Sequence, residues 1–464
     1  MKYIKIYAAG TLMAIALSSC NIYKKYEFPA QESAIATDFQ KAMDAQADSN
    51  TLPYLGWEDI FKDPKLQSLI RLALANNKDL KNAKLNVDIA HAQLKGAKLS
   101  YFPSVAFAPN GGGSSMGGNQ LPMSSMSWSY SLPLSVQWEV DVFGKILNRK
   151  RGAQMSYEMS QAYEQATRSQ IICGVANVYY SLVMLNQQLD LTKRTSDIWK
   201  EQVESMELLK NAGRTNEAAV VQSRANYYNI LSSIPTLEAS INQLNNTMSL
   251  LLNTYPQQWE VTGDCDFTIP RQLVDGIPMS YLAVRPDVRA AERSLAAAYY
   301  STNSARAAFY PGLVISAQGG FTNLLGSMIK NPGEWFVNLA GSLTAPIFSR
   351  GQNIASLEAA KAQQKQAFNT FEYAVLNASS EVSDALVNYN KNVEKNEFLQ
   401  KQVDQLEKSV EYTNELFMYN TGTTYLEVLT ARSGLLNAQL ACIANWHERA
   451  AALISLYQAV GGGR

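Results

Sequence analysis

The sequence predicts a mainly α chain with membrane β strands, internally duplicated, each half supplying two strands and one long helical hairpin. Three observations predict it. Residues Ser127–Asp141 read SWSYSLPLSVQWEVD, with Trp128, Tyr130, Leu132, Leu134, Val136, Trp138 and Val140 at alternate positions. A period of two marks a strand with one apolar and one polar face. The run is longer than an ordinary strand of ~5–6 residues and suits a tilted membrane strand of ~9–11 residues with an overhang. Helical periodicity then continues from Ile146 to Asn211. Finally, landmarks recur: Pro103 and Pro311 are 208 residues apart, Phe143 and Phe348 205, Gly213 and Gly422 209. Agreement this close over such a separation is the mark of a repeat.

Composition narrows the function. The chain has 464 residues, with 40 Lys+Arg against 40 Asp+Glu, so no bulk charge draws it to nucleic acid. Hydrophobic residues make up 47%, yet mean hydropathy is −0.17. Beyond the N-terminus no apolar run is long enough for a membrane helix, which leaves strands as the route through lipid.

Residues 1–19 read as a signal peptide, with Lys2 and Lys5 before the apolar Ile6–Leu17. Leu17-Ser18-Ser19-Cys20 resembles a bacterial lipobox, which makes Cys20 the lipidated mature N-terminus and its covalent lipid the only attached group expected. Asn21 is not the aspartate of inner-membrane retention, so sorting to the outer membrane is expected. Residues 20–55, polar and without period, read as an extended lipid-anchored tether.

The first repeat is read over 56–254. Asp63-Pro64 is an N-cap followed by proline at the first helical position. Asn76-Asn77 breaks that helix, Asp79–Ser100 forms another, and Phe102-Pro103 ends it. Strands are expected at about 104–109 and 127–141, with Asn110–Gln120 as an exposed Gly/Ser loop. The hairpin at about 146–252 turns at Gly213. Its seam, Leu182, Leu185, Leu189, Thr192, Ser196, Trp199, Val203 and Met206, steps by three and four with two polar interruptions. Its first helix would span roughly 100 Å at 1.5 Å per residue, and Pro235 is expected to kink the second. Residues 255–280 read as an irregular linker. The second repeat, 281–464, has strands at about 312–322 and 335–347 and a hairpin at about 351–460 that turns at Gly422.

Four strands cannot close a pore, because the smallest membrane barrels have ~8. The chain must therefore oligomerise, and two, three or four copies would all satisfy closure. In this reading Trp128, Val136 and Trp138 face lipid, while Ser129, Ser135 and Gln137 face water. Nothing points to catalysis: there is no nucleophile elbow, no Gly-rich phosphate loop, and no histidine near a candidate carboxylate or thiol. Only His91 and His447 occur, without CxxC or HExxH, so no metal site is expected. Met123, Met126, Met155 and Met159 would suit soft metal ions such as copper or silver as cargo, but methionine is more often packing or loop filler, and that is the favoured reading. Cys173, Cys265 and Cys442 form no disulfide framework, and Cys173 and Cys442 read as buried small apolar residues.

In order along the chain, the motifs resemble the TolC-like outer-membrane factors, the NodT-type lipoproteins that serve resistance-nodulation-division (RND) efflux pumps. Cys20 resembles the family's lipid anchor. Residues Trp57–Leu66, WEDIFKDPKL, resemble its first-helix motif, and Trp138–Gly144, WEVDVFG, its strand-to-helix junction. Arg285–Glu292, RPDVRAAE, resembles its repeat-opening motif, with Val284 where a second arginine is frequent. Ala345-Pro346-Ile347-Phe348 and Glu381-Val382 fit as well. The likeness covers about 20–460. It implies a homotrimer, with a periplasmic α-barrel joined to a twelve-stranded transmembrane β-barrel in the outer membrane. It also implies an inner-membrane RND transporter and a periplasmic adaptor as partners. The function implied is a passive exit duct for small toxic solutes or drugs; the alternative is a duct for secreted polypeptides served by an ATP-driven exporter. Residues Tyr419–Thr430 resemble the family's gate hairpin, in which acidic residues after the glycine ring the pore. Glu427 falls near one such position, Thr430 occupies another where Asp is frequent, and Tyr419 and Thr424 complete the expected gate. Gly213 and Gly422 are the expected turns; after Gly213, Glu217 comes early and Val220 lies nearer the acidic position.

Overall fold

The computed structural model describes residues 23–44, 56–114, 127–262, 279–324, 334–419 and 422–463. Cys20 and the signal segment lie outside the described residues, as does most of the linker. In chain order the elements are α1 (Ala34–Asp44), α2 (Trp57–Ile60), α3 (Pro64–Asn76), α4 (Lys78–Leu99), β1 (Ser104–Phe107), β2 (Asn110–Ser114) and β3 (Ser127–Val140). Then come α5 (Lys145–Asn211), α6 (Glu217–Leu251), a 3₁₀ turn (Met279–Val284), α7 (Pro286–Ala307), β4 (Gly312–Leu324), β5 (Glu334–Thr344), α8 (Gln352–Met418) and α9 (Tyr425–Ala459). The chain forms two compact units, each drawing on both halves: the first contains Asn86–Ser160 and Ala290–Phe371, the second Ala30–Leu85, Gln161–Arg289 and Glu372 onward.

In the first unit every strand pairs antiparallel in one sheet, β1 and β2 together along one side of β3, then β4, then β5. Three expectations about the strands are corrected. Asn110–Ser114 is not loop but strand β2, since Gly111 to Gly113 pair with Tyr130 to Trp128. The first strand is also interrupted: the ladder skips Ala108-Pro109 opposite Leu132-Pro133. Prolines supply no ladder donor, and the two prolines fall at the same break. On the other side Gly320 faces Pro133 so closely that a Cβ there would overlap the Leu132 carbonyl. The last strand ends at Thr344, short of the expected 347, just before Pro346.

The strand-to-helix junction is built by Asp141. Its two carboxylate oxygens accept from the backbone N–H of Ile146 at 3.0 Å and of Leu147 at 2.7 Å, occupying the donors that open α5. Gly144 supplies the positive φ of 70° at the turn. Phe143 stacks on Tyr310 with ring centroids 5.1 Å apart.

In the second unit, residues expected as extended tether contain α1. Ser33 accepts from the Ala36 N–H at 3.1 Å, and Ala36, Phe39 and Ala42 form a buried stripe at spacing three. The short polar stretch around it hid that stripe. Asp63 caps α3 with one carboxylate oxygen and accepts from the hydroxyls of Tyr179 and Thr262 with the other. The polar interruptions of the α5 seam, Thr192 and Ser196, are buried and donate back to the carbonyls of Gln188 and Lys193, both at 2.7 Å, so they add no unmet polar group. Cys173 is buried as expected, whereas Cys442 is only partly so.

Arg285 explains why a repeat opens on Arg-Pro-Asp. Only 5% exposed, it donates to the Ala459 carbonyl at 2.6 Å, to Asp287 at 2.7 and 3.0 Å, and to Glu381 at 2.6 Å. It thereby joins the start of α7 to α8 and to the end of α9. Burial works against its charge, but the two carboxylates outweigh that and hold its pKa above the ordinary value. The Arg285→Met variant keeps bulk and removes the donors. It should lose about 2–3 kcal/mol, the scale of hydrogen bonds to a charged group, read as an earlier thermal unfolding of the detergent-solubilised protein.

Candidate functional site

The sheet sorts its side chains by register. Residues opposite one another share a face, and the pairs are Val136 with Ala317, Trp138 with Ile315, Leu134 with Gly319 and Leu132 with Phe321. The same face continues through Ile315–Gly341, Ala317–Leu339, Gly319–Val337 and Phe321–Trp335, and on the other side through Val105 and Phe107. Most of its large side chains are exposed, including Phe107, Leu134, Phe321, Trp335, Leu339 and Leu343. The opposite face carries Ser131, Ser135, Gln137, Ser316, Gln318, Thr322, Asn338 and Ser342. Its one acid on β3, Glu139, is paired with Lys145 at 2.8 Å. An exposed apolar face this continuous is more than a scatter of single residues, and it is the face on which the lipid-facing positions were expected. Trp138 donates its indole N–H to the Tyr101 carbonyl at 2.9 Å, satisfying the ring's polar edge. Trp128 pairs with Gly113 along the backbone, but its side chain lies outside the described residues.

Just after the expected lipid anchor, the chain is strapped to the first unit. The Tyr23 hydroxyl donates to the Val142 carbonyl, and Arg151 donates to the Tyr23 carbonyl at 3.0 Å. The Tyr26 N–H donates to the Tyr300 hydroxyl at 3.1 Å, and Phe28 packs edge-on against Phe371 at 5.2 Å. Position 20 is three residues from Tyr23, at most about 11 Å of extended chain.

At the hairpin tips Gly213 and Gly422 both take positive φ, 71° and 88°, as such turns require. Lys210 pairs with Glu217 across the first turn and holds that carboxyl below the usual range. Val220, expected nearer an acidic position, is buried. On α9, Thr424, Glu427 and Thr430 recur every three residues on an exposed stripe. Thr424 is the N-cap residue without a side-chain capping bond, and Thr430 donates back to the Leu426 carbonyl at 2.8 Å. Glu427 has no ion pair among the described residues. Tyr419 is 80% exposed.

Near the tips Tyr425, which the sequence alone did not single out, joins the two hairpins. It is buried with Trp199, Met206, Val220, Ile230, Val428 and Leu429 in a cluster drawn from α5, α6 and α9. Its hydroxyl bonds the Ser223 hydroxyl on α6, and burial raises its pKa. The available signal was its place three residues after the turn glycine Gly422, followed by Val428 and Leu429 at helical spacing.

A membrane sheet whose strands lead into long helical hairpins defines a channel-forming protein of a bacterial envelope. The family model for outer membrane efflux proteins matches the chain twice, over residues 69–254 and 277–462. The chain belongs to the outer membrane efflux protein family, and it is an outer-membrane channel through which an efflux system discharges. It is 28% identical over 456 residues to the cation efflux system protein CusC of Escherichia coli O6:H1, covering 97% of both chains. A crystal structure of CusC matches with a TM-score of 0.80 at 26% identity, covering 90% of this chain and 96% of that one. The probable outer membrane lipoprotein SilC of Salmonella typhimurium is 27% identical over 89% of each chain. The toluene efflux pump outer membrane protein TtgC of Pseudomonas putida is 28% identical, covering 97% of this chain and 94% of its own.

Two outcomes follow from this geometry. Arginine on a lipid face costs ~2–4 kcal/mol near mid-bilayer, so Val136→Arg should sharply reduce membrane-assembled protein while Ser135→Arg leaves it near wild type, as measured by heat-modifiable mobility on gels. Tyr425→Phe keeps the buried ring and removes one hydroxyl bond, so it should cost about 0.5–1.5 kcal/mol, seen as faster proteolysis at the hairpin tips.

Proposed function

We propose that three copies close their sheets into a twelve-stranded barrel and their hairpins into a periplasmic α-barrel, forming a passive exit duct. A periplasmic adaptor and an inner-membrane RND transporter deliver small toxic solutes or drugs to it, and the duct itself performs no bond chemistry. The observation that carries this reading is the register-matched sheet, apolar on one face and polar on the other, with both edges open among the described residues. The cargo class is kept broad because relatives named for cation efflux and for toluene efflux are equally similar to this chain.

Cys20 carries the covalent lipid in this reading, supported by the lipobox and by the strap that starts at Tyr23. Intact-mass analysis of protein purified from membranes should show an acylated Cys20 at the mature N-terminus; an unmodified cysteine there would remove the anchor from the proposal.

The gate is placed at the second tip. The exposed stripe of Thr424, Glu427 and Thr430, together with Tyr419, faces the pore, while the buried side of α9 holds the first hairpin. Three copies of Glu427 then form a narrow anionic ring that favours cations. Single-channel recording in planar bilayers tests this: Glu427→Gln should reduce cation selectivity and divalent block, and Tyr419→Phe should raise resting conductance. Wild-type selectivity and block in Glu427→Gln would exclude that carboxylate from the gate.

A further inference from the structure

The internal repeat contains a template for contacts that a single chain leaves unmade. Where the two halves meet, β3 pairs with β4, and Phe143, just past β3, stacks on Tyr310, just before β4. The duplication puts Phe348 after β5 where Phe143 stands after β3. It likewise puts Phe102-Pro103 before β1 where Tyr310-Pro311 stands before β4. Phe348 is nevertheless 84% exposed, its neighbour Ile347 97% and Phe102 69%. The two halves of an aromatic stack are thus displayed at opposite open edges of one sheet.

We propose that β5 of one copy pairs antiparallel with β1 and β2 of the next in the register of the internal β3–β4 pair, and that Phe348 stacks on Phe102 of the partner subunit. The inference rests on closure by like copies, proposed above, and adds its register and its anchoring contact. Internally, Val140 lies opposite Leu313. Transferred by the repeat offsets, Ala345 meets Val105 of the partner subunit, Leu343 meets Phe107 of the partner subunit, and Leu339 and Val337 meet Gly111 and Gly113 of the partner subunit.

Two independent features agree with this register. Every one of these pairs joins apolar-face positions, whereas a slip by one residue would turn the polar face of one strand toward lipid. Leu339 and Val337 also fall opposite glycines, as Leu134 and Val337 flank Gly319 within the sheet. A glycine-rich strand has little side-chain packing of its own, and large partners opposite Gly111 and Gly113 supply it.

Disulfide trapping tests the register. Directly opposite strand residues have Cα atoms ~4.5–5.5 Å apart, inside the usual range for a disulfide, while diagonal neighbours are ~7–8 Å apart. Oxidation of the double variant Leu343→Cys with Phe107→Cys in membranes should yield covalent oligomers at least tenfold more abundantly than Leu343→Cys with Val105→Cys, or than either single variant. In a chain with no added cysteine, Phe348→Leu and Phe102→Leu should each lower the temperature at which the SDS-resistant oligomer dissociates, and the double variant should lower it no further. Preferential trapping through Val105, or additive effects of the two leucine substitutions, overturns the register and the stack. An oligomer by light scattering that none of the cysteine pairs traps places the seam elsewhere. A monomer by light scattering, with strands intact by infrared spectroscopy, overturns closure itself along with the seam.

Discussion

A sheet in hydrocarbon must satisfy every backbone donor and acceptor, and among the described residues this chain's sheet has two sides on which it does not. Each unmet group in lipid costs several kcal/mol, so the outer edges of β1/β2 and β5 are untenable in one isolated copy. The duplication is the economical answer to that constraint. A unit of two strands and a helical hairpin, used twice, already contains one strand-to-strand junction of the kind needed to close a ring. The Phe143–Tyr310 stack shows what a finished junction looks like, and the bare Phe348 and Phe102 show what an unfinished one looks like.

The motifs that mark the family turn out to be joints rather than reactive groups. Asp141 occupies the first free N–H groups of α5, Asp63 caps α3 while receiving Tyr179, and Arg285 collects a carbonyl and two carboxylates in a nearly closed site. All of them stand where a helix begins. That is where unpaired N–H groups accumulate, and where one misplaced residue would alter the direction of a helix as long as the 67-residue α5 or α8. These signals of an outer-membrane channel serve the direction and register of its helices.

At the tips the two sides of α9 do different work. Its buried side, through Tyr425, Val428 and Leu429, fastens the second hairpin to the first by an apolar cluster and one hydroxyl pair. Its exposed stripe makes no ion pair within the chain among the described residues, which leaves Glu427 available to whatever the assembled pore brings near it. Burial on one side and an exposed carboxylate on the other suit the proposed gate, in which a tip firmly held in each copy presents Glu427.

Periodicity was legible wherever it was long. The fourteen residues of β3, the seam of α5, the turns at Gly213 and Gly422 and the duplication could all be read from spacing, because a period of two or of three and four is imposed by backbone geometry whatever surrounds it. Short elements could not be read this way: α1 was hidden within a polar stretch, and β2, with its NGGGS sequence, looked like loop, since glycines enter a strand only when a neighbour such as β3 supplies the ladder. Partnership across the chain was decided only by tertiary structure. Nothing local marks Tyr425 as the residue that meets Ser223, or Arg285 as the one that reaches Ala459, because such contacts depend on which helix faces sit together. Sequence by itself determined which faces are apolar and where the chain turns; the fold decided which polar groups those faces enclose, because a buried hydrogen bond needs two partners and the sequence names only one at a time.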